Sequence, residues 1–198
     1  MIFIFEYYIY KYNTPEMVEF SCSVKGLTTL KGIIFPPNVT KLDCSCNQIT
    51  SLEHCPPNVI ELYCYGNRIT SLEHCSPNVT KLNCYGNQIT SLEHCPPNVI
   101  ELYCYGNQIT SLEHCPPNVK ILHCYNNQIT SLEHCPPDVT ELYCYNNPIQ
   151  PLPQYKLEIP SLQEYTINKI IKNNLYPNEY LGIYHNAIVG MKLCLKCK

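Results

Sequence analysis

Val59-Ile60-Glu61-Leu62-Tyr63-Cys64-Tyr65-Gly66-Asn67-Arg68-Ile69-Thr70-Ser71-Leu72-Glu73-His74-Cys75-Ser76-Pro77-Asn78 is a twenty-residue stretch that recurs, with few changes, along most of the chain. Val39, Val59, Val79, Val99, Val119 and Val139 open six successive copies. Self-similarity at a fixed period of about 20–30 residues marks a solenoid, in which each unit packs only on its neighbours and none folds alone. Within a copy, Glu61-Leu62-Tyr63-Cys64-Tyr65 alternates polar and apolar, the period of a strand with one buried face. Copies of one sense stacked side by side must pair in parallel, about 4.8 Å per step. Pro-Pro in the return half of most copies excludes helix there and imposes extended or turn geometry.

With Val39 as position one, Val39, Leu42, Cys44, Asn47 and Ile49 occupy the five framework places of the pattern L-x-x-L-x-L-x-x-N-x-L. This resembles the leucine-rich repeat. The twenty-residue length and the half Leu52-x-x-Cys55-Pro56-Pro57-Asn58 are similar to the short repeat class of secreted bacterial effectors and of large amoeba-infecting DNA viruses. The resemblance implies an α/β leucine-rich-repeat solenoid, a horseshoe with short parallel strands on its concave face and an irregular convex side. It also implies a non-enzymatic module that binds a protein.

The expected organisation is an N-terminal β cap over 1–16, an array of about seven repeats over 17–154, and a C-terminal cap over 155–198. Met1 to Tyr10 has no basic start and contains Glu6, so it reads as an edge-covering strand and not as a signal peptide. Met17 to Asn38 is a degenerate first repeat, with Phe20, Cys22, Leu27 and Leu30 at framework positions and Lys25 in the asparagine place. Pro148, Pro151 and Pro153 interrupt the seventh copy. Beyond them, Pro160 to Ile171 has apolar residues at helical spacing and predicts a capping helix near 160–174.

Composition narrows the function. The net charge is −3 with 17 tyrosines and no basic cluster, which disfavours nucleic acid. No stretch reaches the roughly 18 apolar residues of a membrane span. Most of the 15 cysteines belong to the repeat pattern, in the columns Cys22, Cys44 to Cys144 and Cys55 to Cys135. They stand where the family has leucine and read as small buried hydrophobes. Thiols at such positions favour a reducing, cytoplasmic setting, the host's cytoplasm for a viral protein. His54, His74, His94, His114 and His134 form a further column, each beside a cysteine. Neighbours in extended chain point oppositely, so a His and its own Cys are poorly placed to share a metal. No Ser, His or Cys stands in a unique setting, so no catalytic residue, metal or cofactor is expected. A thiol- or metal-responsive protein, or a duplicated paralogue with a scaffold role, remains the alternative. Cys194 and Cys197 make half a metal or redox motif, too little to carry either reading.

Two expectations concern side chains. Asn47, Asn67, Asn87, Asn107, Asn127 and Asn147 should form a buried ladder, each amide bonded to turn backbone of its own and neighbouring repeats. The outward strand positions should form the binding face, because a solenoid's extended concave surface is its usual contact site. The residues expected to contact a partner are Tyr63, Tyr65, Tyr85, Tyr103, Tyr105, Tyr125, Tyr143 and Tyr145, with Glu61, Lys81, Glu101 and His123 setting specificity.

Overall fold

The computed structural model describes residues 18–149, 181–186 and 190–195. Seven strands run parallel in sequence order: β1 (Val18–Ser21), β2 (Val39–Asp43), β3 (Glu61–Tyr63), β4 (Lys81–Asn83), β5 (Glu101–Tyr103), β6 (Ile121–His123) and β7 (Glu141–Tyr143). From β2 onward each residue pairs with its equivalent twenty positions later, as Leu62 with Leu82 and Leu82 with Leu102. The strands are short, but their backbone ladder continues beyond them. Gly66 N donates to Tyr85 O at 2.9 Å and Gly86 N to Tyr105 O at 3.0 Å, while Gln88 N donates back to Ile69 O at 2.9 Å. Every coil is thereby bonded forward along its strand edge and backward just after the asparagine.

No helix occurs among the described residues; the capping helix expected near 160–174, like the N-terminal cap over 1–16, lies outside them. The tail holds two strands that composition did not announce. β8 (Leu181–Asn186) pairs antiparallel with β7, and β9 (Gly190–Leu195) pairs antiparallel with β8, so the sheet extends to nine strands.

The interior is one continuous column of equivalent side chains. Val59, Leu62, Cys64, Ile69 and Leu72 are fully buried, as are their counterparts in the next coil. Burial of each large aliphatic chain contributes about 1.5–3 kcal/mol before entropy is subtracted. The degenerate first repeat keeps Phe20, Cys22 and Leu30 buried, with Leu27 packed at the margin and Lys25 exposed. The two cysteine columns differ: Cys44 to Cys124 are sealed, whereas Cys55, Cys75, Cys95, Cys115 and Cys135 are only half-buried on the return side.

That return side is built from turns. Cys55 N donates to Leu52 O at 2.9 Å and Val59 N to Pro56 O at 3.4 Å, and later coils repeat both bonds. His54, His74, His94 and His114 stand at the third place of the first turn with φ between 66° and 72°. Histidine is among the few residues enriched in this left-handed region. Backbone thus accounts for these four histidines, while His134, the last of the column, lies outside the left-handed region. A second left-handed position follows the strand, held by Cys46, Gly66, Gly86, Gly106, Asn126 and Asn146 with φ between 52° and 64°. A Cβ at Gly106 would meet only ordinary contacts, so conformation and not space selects glycine or asparagine there.

Candidate protein-binding face

The outward positions three, five and seven of each coil lie side by side as three columns. In the seventh-position column, Tyr65, Tyr85, Tyr105, Tyr125 and Tyr145 stack in one run. Successive ring centroids are 4.6, 4.4, 4.3 and 4.4 Å apart, and the planes lie within 7–11° of parallel. These spacings are shorter than the roughly 4.7–4.9 Å between strands, as side chains on the inner arc of a curved sheet must be. The run starts at Tyr65 because position seven of the coil before it is Ser45. That serine is buried, and its hydroxyl donates to Asp43 Oδ1 at 2.6 Å.

Columns three and five are interlocked. Tyr63 donates its hydroxyl to Glu61 at 3.1 Å, and Tyr103 does the same to Glu101 at 3.1 Å. Lys81 Nζ reaches Glu101 at 2.7 Å and lies 5.8 Å from the centre of the Tyr103 ring; Lys41 pairs with Glu19 at 3.1 Å and lies 5.6 Å from the Tyr63 ring. His123 stands edge-on between Tyr103 and Tyr143, with centroids at 4.8 and 4.4 Å, and its Nε2 is 3.1 Å from Glu141. The structure therefore gathers all twelve residues singled out for the face onto one surface. Asn83, not singled out, lies between Tyr63 and Tyr103 in register, and its Oδ1 is buried with no donor among the described residues.

The electrostatics of the face follow from this packing. Burial, with the Glu61 carboxylate close by, pushes the Tyr63 phenol up to about 12, and burial with Glu101 does the same for Tyr103. Burial and the neighbouring Tyr125 raise Tyr105 to about 12. These phenols are neutral hydroxyls through the physiological range. The hydrogen bond from Lys81 holds Glu101 below the usual carboxylate value. Burial lowers His123, against the opposing pull of Glu141.

Beneath the face runs the asparagine ladder. Asn87 Nδ2 donates to the carbonyls of Cys64, Cys84 and Tyr85 at 3.1, 3.0 and 3.3 Å, and its Oδ1 accepts from Ile69 N at 3.0 Å. Asn67, Asn107, Asn127 and Asn147 repeat this pattern; Asn47 instead accepts from Lys25 N and Leu27 N. The ladder fixes the turn that presents each seventh-position tyrosine. Cys46 is exposed at the left-handed position after Ser45, the place that Gly or Asn holds in the later coils. Among the described residues no group of three metal-ligating side chains converges, and thirteen cysteines are free thiols.

Parallel coils paired in a constant twenty-residue register, a buried asparagine ladder and a side-chain-rich sheet face together define a leucine-rich-repeat solenoid. A family model described as Leucine Rich repeats (2 copies) matches residues 57–96. Among solved structures, the chain is similar to YopM from Yersinia enterocolitica WA-314, at 27% identity and a TM-score of 0.55, over 60% of this chain and 26% of that one. It is also similar to a Shigella effector LRR domain, at 23% identity and a TM-score of 0.61, over 80% of this chain and 77% of that one. The chain thus spans about a quarter of the length of the Yersinia protein. No match to a curated protein sequence was found. The chain therefore folds as a leucine-rich-repeat solenoid and is similar to the repeats of bacterial effectors, a fold that serves generally as a protein-interaction module.

Proposed function

We propose that this chain binds a protein partner through its tyrosine-lined sheet face and carries out no catalysis of its own. The observation that carries the reading is the uninterrupted stack Tyr65–Tyr85–Tyr105–Tyr125–Tyr145, flanked by charged residues locked to one another. Tyrosine supplies large rigid contact area with little rotamer entropy left to lose. Stacking has already fixed these rings, so a partner meets a preorganised surface. Stacking itself contributes about 0.5–1.5 kcal/mol per pair, which explains the column's regularity but not its placement on the face free of framework residues.

The setting that suits the chain is a reducing compartment such as cytoplasm, because its core is lined with unpaired thiols. The test of the reading is affinity capture by the intact chain against a variant with Ala at Tyr65, Tyr85, Tyr105 and Tyr125, both shown folded by circular dichroism. A protein retained by the first, lost by the second, and bound again when purified supports the reading. Identical capture by both chains overturns it.

A further inference from the structure

The tyrosine stack repeats at every coil, but the two columns beside it repeat at every second coil. Position three reads Glu61, Lys81, Glu101, Ile121, Glu141, and position five reads Tyr63, Asn83, Tyr103, His123, Tyr143. Two coils of parallel strands advance about 9–10 Å. The same Glu-Tyr unit is therefore presented at this interval by Glu61 with Tyr63 and by Glu101 with Tyr103, the phenol holding its carboxylate at 3.1 Å in both. At the next interval His123 Nε2 lies 3.1 Å from the Glu141 carboxylate.

A ligand lying along the solenoid axis must match this interval to place equivalent groups on equivalent units. A polyproline II helix advances about 9.3 Å per three residues. Side chains on one side of an extended strand recur about every 6.6–6.8 Å, and an α-helical turn advances about 5.4 Å. Only the polyproline II period coincides with two coils.

Charge selects the side chain. From Glu61 to Glu141, position three carries three glutamates and one lysine. Neither Glu61 nor Glu141 forms an ion pair with a lysine among the described residues. Lys81 stands one coil away from Glu61 and from Glu101, so a cation placed at every coil would be repelled there. A cation at every second coil meets a carboxylate each time, unpaired with lysine at Glu61 and Glu141 and shared with Lys81 at Glu101. The tyrosine rings alongside cover one another's faces, so the stack offers proline rings a continuous row of ring edges and hydroxyls to pack along.

We propose that the occupant of this face is a basic polyproline II segment lying along the solenoid axis. Arginine or lysine at every third residue sits over Glu61, Glu101 and Glu141, and the prolines pack against the tyrosine stack. The proposal rests on the reading of this face as a docking surface.

The test is fluorescence anisotropy of the full chain with labelled (Pro-Pro-Arg)5. The comparisons are (Gly-Ser-Arg)5, which keeps charge and spacing without the helix, (Pro-Arg)7, which places charge at every second residue, and (Pro-Pro-Glu)5. The expected result is at least tenfold tighter binding of (Pro-Pro-Arg)5 than of any comparison peptide. The double variant Glu61→Gln, Glu141→Gln should weaken it about tenfold, and added salt should weaken it further. The glutamine substitutions leave the tyrosine stack and the core intact, so circular dichroism should be unchanged. Equal affinity for (Pro-Pro-Arg)5 and either arginine comparison, indifference to the double variant, or no measurable binding overturns the proposal. If a captured protein depends on the tyrosines and (Pro-Pro-Arg)5 does not compete with it, the docking surface stands and this inference fails. If capture does not depend on the tyrosines, both fail.

Discussion

Asn107 shows how one side chain can hold two coils. Its Nδ2 donates to Cys84 O, Cys104 O and Tyr105 O, and its Oδ1 accepts from Ile89 N at 3.0 Å. These groups are cut off from water, and a buried backbone donor left unpaired costs about 1–3 kcal/mol. Asn107→Ala is therefore expected to lower unfolding stability by about 3 kcal/mol or more. Asn147 makes the corresponding bonds but is only part-buried, so water can replace the amide and Asn147→Ala should cost clearly less. Urea unfolding followed by circular dichroism checks both; equal losses in the two variants would sink the argument. The asparagine column was legible from residue type and spacing, since no apolar residue could satisfy that turn. The histidine column was not legible as a turn residue. Its role depends on a backbone angle, and glycine is the residue that ordinarily announces such an angle.

The unit above the residue is the column, and the buried thiols form the one with the clearest pH signature. Burial pushes Cys22, Cys84 and Cys144 up to about 12, and the sealed thiols Cys44, Cys64, Cys104 and Cys124 also lie well above the ordinary value, burial being the first cause. In the unfolded chain these thiols ionise near 9, so the folded state holds its protons more tightly. Their contribution is whole below pH 9 and is lost as pH rises from 9 towards 12. Within that window each sealed thiol removes about 1.4 kcal/mol per pH unit. Urea midpoints at pH 8, 9 and 10 should be level over the first interval's acid side and fall steeply by the last. Replacing Cys84 and Cys104 by Val should flatten the fall, and a midpoint independent of pH up to 10 would contradict the account. The raised phenols of Tyr63 and Tyr103 act with the same sign at higher pH.

At the scale of the whole array, the described residues are nearly one-dimensional, because among them each coil is bonded only to the coils before and after it. Stability in such an array is approximately a sum of coil and interface contributions. Deleting residues 79–98 joins Asn78 to Val99 and brings β3 beside β5 with identical register and chemistry. The shortened chain is expected to fold with a strand spectrum like the parent's and a lower unfolding midpoint. A chain left unfolded by this deletion would show that the coils are not interchangeable. The charge pattern is affected as well, because Glu61 and Glu101 would become neighbours of like sign and Lys81 would be gone. The deletion should therefore cost more than the loss of one interface alone.

The sequence by itself determined the coil: its length, its parallel register, its asparagine ladder and its lack of helix on the return side. Each follows from local pattern repeated many times, and repetition turns weak signals into strong ones. It also placed the tyrosines and charges on one face through alternation. The tertiary structure decided the rest. Stacking of the seventh-position rings at 4.3–4.6 Å, the locking of Glu61 by Tyr63 and of Glu101 by Lys81, and the sealing of one cysteine column but not the other depend on how neighbouring coils lie together. The antiparallel pair β8 and β9 belongs here too, since a strand outside the repeat has no periodic pattern to declare it and exists through the edge it pairs with. Period and polarity are properties of the chain; distance between columns is a property of the stack.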